Sequence, residues 1–320
     1  MPSDPGTPTL DQLRVFLTVV DAGSFAAAAR HLNRATSVVS YTIANLETQL
    51  GVTLFDREAT RKPQLTDAGR TVVAEARNVS DGIDGLRAKV KGLLQGLEAE
   101  VHLVLDVMLP TERVADALTA FRSEFPTVAL RLHVEALGAV TQLVLNRVAT
   151  VGVSGPLTGL AAMKGIERIG VGEVTLAPVA SPMHPLARPG KRKIGEVRDH
   201  IQLVLSDRSP LTQSRDFAVV SPRTWRLADM GSKHMLLKAG IGWGNMPKPM
   251  VQEDLDSGRL VQLDLPEAKE DTYRFQAIYR TDAPPGPAAN WLIARFRDQT
   301  SPDHASRKRS APRVDGPDVR

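Results

Sequence analysis

The chain has 320 residues, a hydrophobic fraction of 42% with only 4% aromatic residues, and a formal net charge of +4. That length suits two or three domains, with cores filled by Leu, Val and Ala; the charge is too mild to name a partner by itself. Cysteine is absent, which excludes disulfides, Cys zinc sites and thiolate chemistry. No signal-like stretch opens the chain and no apolar run reaches the roughly 18 residues a membrane span needs, so a cytoplasmic protein without membrane contact is expected.

In chain order, Thr9 reads as the N-cap of a first helix, with Leu10, Leu13, Phe16, Leu17 and Val20 at helical spacing up to Asp21-Ala22-Gly23. Ser24 caps a second helix that buries Phe25, Ala28, Ala29 and Leu32, and whose small alanines permit a close helix crossing. Asn33-Arg34-Ala35 is the turn. Thr36 is expected to cap a third helix with Val39, Ile43, Leu46 and Leu50 inward, ended by Gly51. Its opposite face presents Ser37, Val38, Tyr41, Thr42 and Asn45. Val52–Phe55 and Pro63–Leu65 pair as a hairpin whose tip holds Arg57, Arg61 and Lys62. This order is that of a winged helix-turn-helix: a helix for the major groove and a basic wing for the backbone. Thr36, Ser37, Val38, Tyr41, Thr42 and Asn45 are the candidate readers of double-stranded DNA, and Arg34, Arg57, Arg61 and Lys62 the candidate phosphate contacts. A plain helical bundle with a solvated polar helix is the competing reading.

These residues resemble the N-terminal pattern of LysR-type transcriptional regulators. The resemblance is carried by Phe16, Gly23-Ser24-Phe25, Ala28-Ala29, Leu32-Asn33, Ser40, Ile43, Leu46-Glu47, Leu50-Gly51, Leu54-Phe55-Asp56-Arg57, Leu65-Thr66 and Ala68-Gly69. Thr36-Ser37 stand where the family often has Gln-Pro or Ser-Pro, and Tyr41-Thr42 where it often has Arg-Gln. These departures bear on the operator sequence and leave the fold unaffected.

From Thr66 to Leu97 the pattern is one long helix. Val72, Ala76, Val79, Ile83, Leu86, Val90, Leu93 and Leu97 are spaced 4, 3, 4, 3, 4, 3, 4, a heptad seam that asks for a partner helix. Gly82, Gly85, Gly92 and Gly96 each weaken such a helix by about 0.8–1 kcal/mol relative to Ala, so pairing is needed to hold it. A dimerisation helix is expected, similar to the family's linker helix, and the alternative is a helix packed on its own domain. Two reading helices would then address a site of approximate dyad symmetry.

Beyond Val101 strands and helices alternate: strands at Val101–Val107, Val128–Glu135 and Val148–Ser154, with helices at Thr111–Phe125 and Gly138–Arg147 between them. Further strands are expected at Glu173–Ala180, Ile201–Leu205, Thr224–Ala228, Ile241–Asn245 and Tyr273–Tyr279, with helices at Gly231–Lys238 and Ala288–Arg297. The βαβαβ order predicts a mostly parallel sheet. The resemblance continues through Phe125-Pro126, Val151-Gly152-Val153, His184-Pro185-Leu186-Ala187, Ala239-Gly240-Ile241-Gly242 with Met246-Pro247, and Ser257-Gly258-Arg259-Leu260. It implies an α/β fold behind an all-α N-terminal part, with a periplasmic-binding-protein-like effector domain of two lobes. The expected division is 1–65 DNA-binding, 66–97 linker, 98–299 effector domain and 300–320 a disordered tail. One lobe would be 101–168 with 268–299 and the other 169–267, with crossings near Ile166–Val171 and Leu263–Ala268.

Ligands of open α/β sheets bind beyond the carboxyl ends of strands. Here those positions are Val107, Met108, Leu109 and Thr111; Leu137 and Gly138; Ser154 and Gly155; Ser206 and Asp207; Trp243, Asn245 and Met246. Val107, Met108, Leu109 and Trp243 would form an apolar wall, which favours a partly hydrophobic or aromatic effector. Many family members carry Ser or Thr near Gly138, where a hydroxyl can hold a carboxylate; glycine offers only its backbone amide.

No metal or cofactor is expected, because the seven histidines show no ligand spacing. Gly240-Ile241-Gly242-Trp243-Gly244 has the wrong order for a dinucleotide site, and Ser154-Gly155-Pro156 is no nucleophile elbow. The reading is a DNA-binding, effector-controlled regulator and not an enzyme, working as a dimer or tetramer and touching RNA polymerase. The rival is a cytoplasmic small-molecule-binding protein whose N-terminal helices serve only in assembly.

Overall fold

The computed structural model describes residues 6–56, 63–156, 163–190, 192–206, 209–212 and 217–299. The chain divides into two compact units, Met1–Lys91 and Gly92–Arg320.

The first unit starts with α1 (Leu10–Ala22), entered through a capping box. Gln12 N donates to Thr9 Oγ1 at 3.2 Å and Thr9 N donates to the Gln12 side chain at 2.8 Å. Gly23, at φ 67°, closes the helix in the left-handed region. Ser24 caps α2 (Phe25–His31) by accepting from Ala27 N at 3.1 Å. The turn that follows places Asn33 at φ 53°, a conformation Asn tolerates. The cap of α3 (Thr36–Leu50) differs from expectation. Ala35 occupies the cap position and makes no side-chain bond, while Thr36 lies inside the first turn. The helix therefore begins one residue earlier than a threonine cap would place it.

β1 (Phe55–Asp56) pairs antiparallel with β2 (Gln64–Leu65) in the register Phe55↔Leu65. α4 (Asp67–Leu94) is capped by Thr66, whose Oγ1 accepts from Gly69 N at 2.9 Å. A Cβ on Gly69 would stand 2.2 Å from Leu54 O, so this close approach of helix to strand requires glycine. Phe16, Val39, Leu46 and Leu54 are fully buried, and Phe55 meets Phe16 and Phe25 edge-on at 5.5 Å.

Two seam residues are corrected by this core. Ala76 is buried within it and Val72 packs against it, so they are spent inside the chain's own domain. A third correction falls at the other end of the seam. α4 stops at Leu94, Gly96 takes φ 79°, and Leu97 N turns back to Gly92 O at 3.0 Å, which takes Leu97 off the helix.

The second unit runs β3 (Glu100–Asp106), α5 (Thr111–Glu124), β4 (Ala129–Glu135), α6 (Gly138–Leu145), β5 (Val151–Ser154), β6 (Ile166–Ala180), β7 (Gln202–Leu205), β8 (Thr224–Leu227), α7 (Met230–Lys238), β9 (Trp243–Pro247), α8 (Lys248–Asp256), β10 (Val261–Gln262), β11 (Asp271–Arg280) and α9 (Pro287–Asp298). The strands form one nine-stranded sheet in the order β4-β3-β5-β11-β6-β9-β7-β8, with β10 on β6. The expected mostly parallel sheet becomes two parallel blocks, β4-β3-β5 and β9-β7-β8, joined by an antiparallel ribbon of β6 and β11. The 15-residue β6 starts well before Glu173. Its first half, with Glu167, Arg168, Gly170 and Gly172, has no apolar alternation and is a strand because β11 pairs with it. The passage between blocks is thus made by two long strands rather than by short linkers. α8 is an addition to the sequence reading.

Two half-buried straps brace this unit. Glu98 caps α9 across the fold, accepting from Ala288 N at 3.0 Å and Ala289 N at 3.1 Å. Arg113 on α5 donates to Val171 O at 2.8 Å and Phe296 O at 3.0 Å.

His184 is buried beside His200, ring centroids 5.1 Å apart, and its Nδ1 accepts from Leu186 N at 3.2 Å. Burial first, and His200 second, push its pKa down to about 4. The unfolded chain therefore binds the proton between pH 6.5 and about 4 while the folded chain does not. Stability is full above that window and falls on acidification through it, by about 2–3 kcal/mol. His184→Asn, which keeps an acceptor for the turn, should flatten this part of a denaturation-against-pH curve; an unchanged slope would refute the assignment.

No helix among the described residues is long and apolar enough to cross a membrane.

Candidate nucleic-acid interface and ligand cleft

α3 turns Val39, Ile43 and Leu46 into the core at 3.6-residue spacing. The opposite face leaves Thr36, Ser37, Val38 and Tyr41 exposed, with Tyr41 at 68%. Thr42 and Asn45 are half-buried on its flanks, and the Thr42 hydroxyl donates to Val38 O at 2.8 Å. Because Ala35 gives no side-chain cap, the Thr36 and Ser37 amides have no partner among the described residues. They lie at the positive end of the helix dipole, where a phosphate oxygen would be accepted.

Arg34, expected on phosphate, is engaged by a carboxylate instead. Its guanidinium makes a bidentate pair with Asp11 at 2.7 and 2.8 Å, and that hydrogen bond holds the Asp11 carboxyl below its ordinary range. The pair pins the turn to α1. Arg57, Arg61 and Lys62 lie outside the described residues. Glu47, to which spacing assigned no role, accepts from Leu54 N at 2.7 Å and so fixes the entry to β1 against α3.

Along α4, Val79, Leu86, Val90 and Leu93 are 43–57% exposed, with Ile83 half-buried between them. This is an apolar stripe along α4, and Leu94 beside its end is 84% exposed.

In the second unit the carboxyl ends of β3, β4, β7, β8 and β9 converge on a cleft between the two parallel blocks. It holds a cavity of ≈ 520 Å³ and another of ≈ 320 Å³. Val107, Leu109, Thr111 and Met246 line the larger; Ser206 lines the smaller. Gly138 is buried and Leu137 half-buried at the start of α6, next to Ala136 and Ala139 of the smaller cavity's wall. Met108 is buried in the main core. Ser154 and Gly155 are buried as well, and Gly155 faces Tyr273. A Cβ there would stand 1.9 Å from the tyrosine oxygen. Asn245 is half-buried on β9, and Asp207 lies outside the described residues.

Trp243 requires a correction. It opens β9 at the amino end, opposite Gln202, is fully buried, and packs with Ala180, Leu186 and Val197. The strand runs to Pro247, two residues beyond the expected end, so Met246 takes the cleft position instead.

The comparisons with known proteins follow the same division. Residues 10–70 match the family described as "Bacterial regulatory helix-turn-helix protein, lysR family", and residues 94–301 match "LysR substrate binding domain". The chain is a LysR-type transcriptional regulator. Among relatives of this regulator, the HTH-type transcriptional regulator AceR of Acinetobacter baumannii is 25% identical over 90% of this chain and 96% of its own. The HTH-type transcriptional activator AllS of Klebsiella pneumoniae is 29% identical over 78% of this chain and 93% of its own. A solved Corynebacterium glutamicum OxyR C206 mutant shares the fold at a TM-score of 0.50, with 19% identity over 94% of this chain and 95% of that one. The helix-turn-helix thus belongs to a DNA-binding element, and the second unit to an effector-binding domain. The family is one of regulators, not enzymes.

Sequence reasoning missed the floor of this LysR-type cleft. Asp106, one residue before the predicted stretch, is 2% exposed, and its carboxylate accepts from Met108 N (2.9 Å), Gly155 N (3.2 Å) and Tyr273 OH (2.9 Å). Burial, then the charge and hydrogen bond of Asp106, push the Tyr273 phenol well above its ordinary pKa and keep it a donor. Tyr273 arrives on β11 from 167 residues away, a separation no local pattern spans.

Proposed function

We propose that this regulator works as a homodimer or a dimer of dimers, joined along α4, that reads a two-fold operator with the outward face of α3. The observation that carries the reading is that face. Ser37, Val38 and Tyr41 stand clear of their own chain, and two free amides sit at the helix start. Tyr41, Thr42 and Asn45 meet base edges; Thr36 and Ser37 meet phosphate. Arg57, Arg61 and Lys62 add backbone contacts from the wing, while Arg34 acts by holding the turn. The stripe from Val79 to Leu93 sets the spacing of half-sites. An effector bound between the blocks of the second unit shifts their relative geometry, and with it DNA bending or contact with RNA polymerase. A partner of this kind places the protein in the cytoplasm with the DNA.

Replacing Tyr41 and Thr42 together with Ala should weaken operator binding by about tenfold or more, while binding to random duplex changes by less than about twofold at the same salt. Mobility shift at fixed ionic strength reads both. Equal losses would mean that these side chains do not read sequence.

A further inference from the structure

We propose that the effector is an organic cation, an ammonium or amidinium group carried on an apolar or aromatic body. The proposal rests on the interlobe cleft being the effector site and extends that reading to the chemistry of its occupant. Both cavities are walled mainly by apolar side chains, so a ligand must bring an apolar body. Their charged groups are one-sided. Asp106 and Glu112 line the larger cavity and Glu135 the smaller. Asp106 and Glu135 are register partners at the ends of β3 and β4, which sets two carboxylates on adjacent strands of the cleft floor. The Glu112 and Glu135 carboxylates have no ion-pair partner among the described residues. His234 is the one basic side chain among the described lining residues, and its Nε2 sits 2.6 Å from the Asp254 carboxylate.

One acceptor behind the wall of the smaller cavity is unused. Gln142, in the wall of the smaller cavity, donates through Nε2 to Asn146 at 2.9 Å, and its Oε1 is a buried acceptor without a partner among the described residues. Such a group costs free energy until a donor reaches it. The N-termini of α5 and α6, which no side chain caps, would favour an anion, but Glu112 on the first turn of α5 and Glu135 just ahead of α6 set carboxylates there. A carboxylate ligand would meet like charge in a low-dielectric cleft; an ammonium would meet charge complement.

Three probes that share an indolylethyl body test this on the full-length protein by isothermal titration: tryptamine, tryptophol and indole-3-propionate. Tryptamine should bind at least about tenfold tighter than the other two, and the double variant Glu112→Gln/Glu135→Gln should erase that preference. Failure of tryptamine to bind, equal or tighter binding of indole-3-propionate, or a preference that survives the double variant would overturn the proposal. Val134→Trp, which fills the larger cavity from the exposed face of β4, separates this from failure of the site; Leu132→Trp repeats the test should Val134→Trp not fold. Tryptamine binding unaffected by either filling variant would overturn the cleft itself. Indole-3-propionate bound tightest and lost on filling would keep the cleft and discard the cation.

Discussion

Replacing Leu86 with Asp is expected to turn the protein into monomers in sedimentation and to weaken operator binding by about a hundredfold or more. Val72 and Ala76 are used up in the core of the first unit and Leu97 is off the helix, so the proposed pairing seam is confined to Val79, Ile83, Leu86, Val90 and Leu93. Leu86, 57% exposed, is at its centre. A fully buried Leu contributes about 1.5–3 kcal/mol, and a two-fold interface loses that twice while gaining two desolvated carboxylates. Glycines at 82 and 85 leave α4 little propensity to spare for compensation. Once the second copy is gone, so is the effective concentration that binds the second half-site, a factor of about 10²–10⁴. A dimer that survives Leu86→Asp would show that α4 pairs through some other face.

The second large effect is a gain. Lys233 on α7 is 3% exposed, its Nζ donates to Asn245 O at 2.6 Å, and burial pushes its pKa down to about 7. The folded-state pKa lies below the unfolded value, so between pH 10.5 and about 7 the unfolded chain binds the proton more readily. Stability is therefore highest at alkaline pH and falls as pH drops towards 7. Lys233→Met keeps length and apolar bulk, removes the charge and leaves one carbonyl without its donor. A net gain of about 2 kcal/mol near pH 7, roughly 4–8 °C in melting temperature, is expected, with a flatter stability curve between pH 7 and 10.5. Thermal melts across that range check both; a loss of stability would mean that the Asn245 bond outweighs the burial of the amine.

The first unit was legible because its determinants are local. The Thr9–Gln12 capping box, Ser24, Gly23 and Gly51 act within a turn of themselves, and the spacing of Val39, Ile43 and Leu46 states which face of α3 is left outward. The one cap misplaced there, Thr36, failed because Ala35 can hold an extended cap conformation with no side-chain bond to announce it. The heptad pattern was right about periodicity and incomplete about use, since an apolar face does not say which neighbour covers it.

The second unit divides along the same line. The strands and helices from Glu100 to Ser154 follow from alternation and helical spacing, and so did the general place of the cleft at strand ends. Sequence by itself determined the family pattern, the outward face of α3 and the apolar stripe of α4. Only the tertiary structure decided that β6 and β11 run antiparallel between two parallel blocks, that Trp243 is buried at the wrong end of its strand, and that Asp106, Tyr273 and Gly155 meet in the floor of the cleft. The physical reason is that turn caps and face periodicities are energies of neighbours in the chain, whereas strand pairing and a buried carboxylate's donors are energies between segments that only folding brings together.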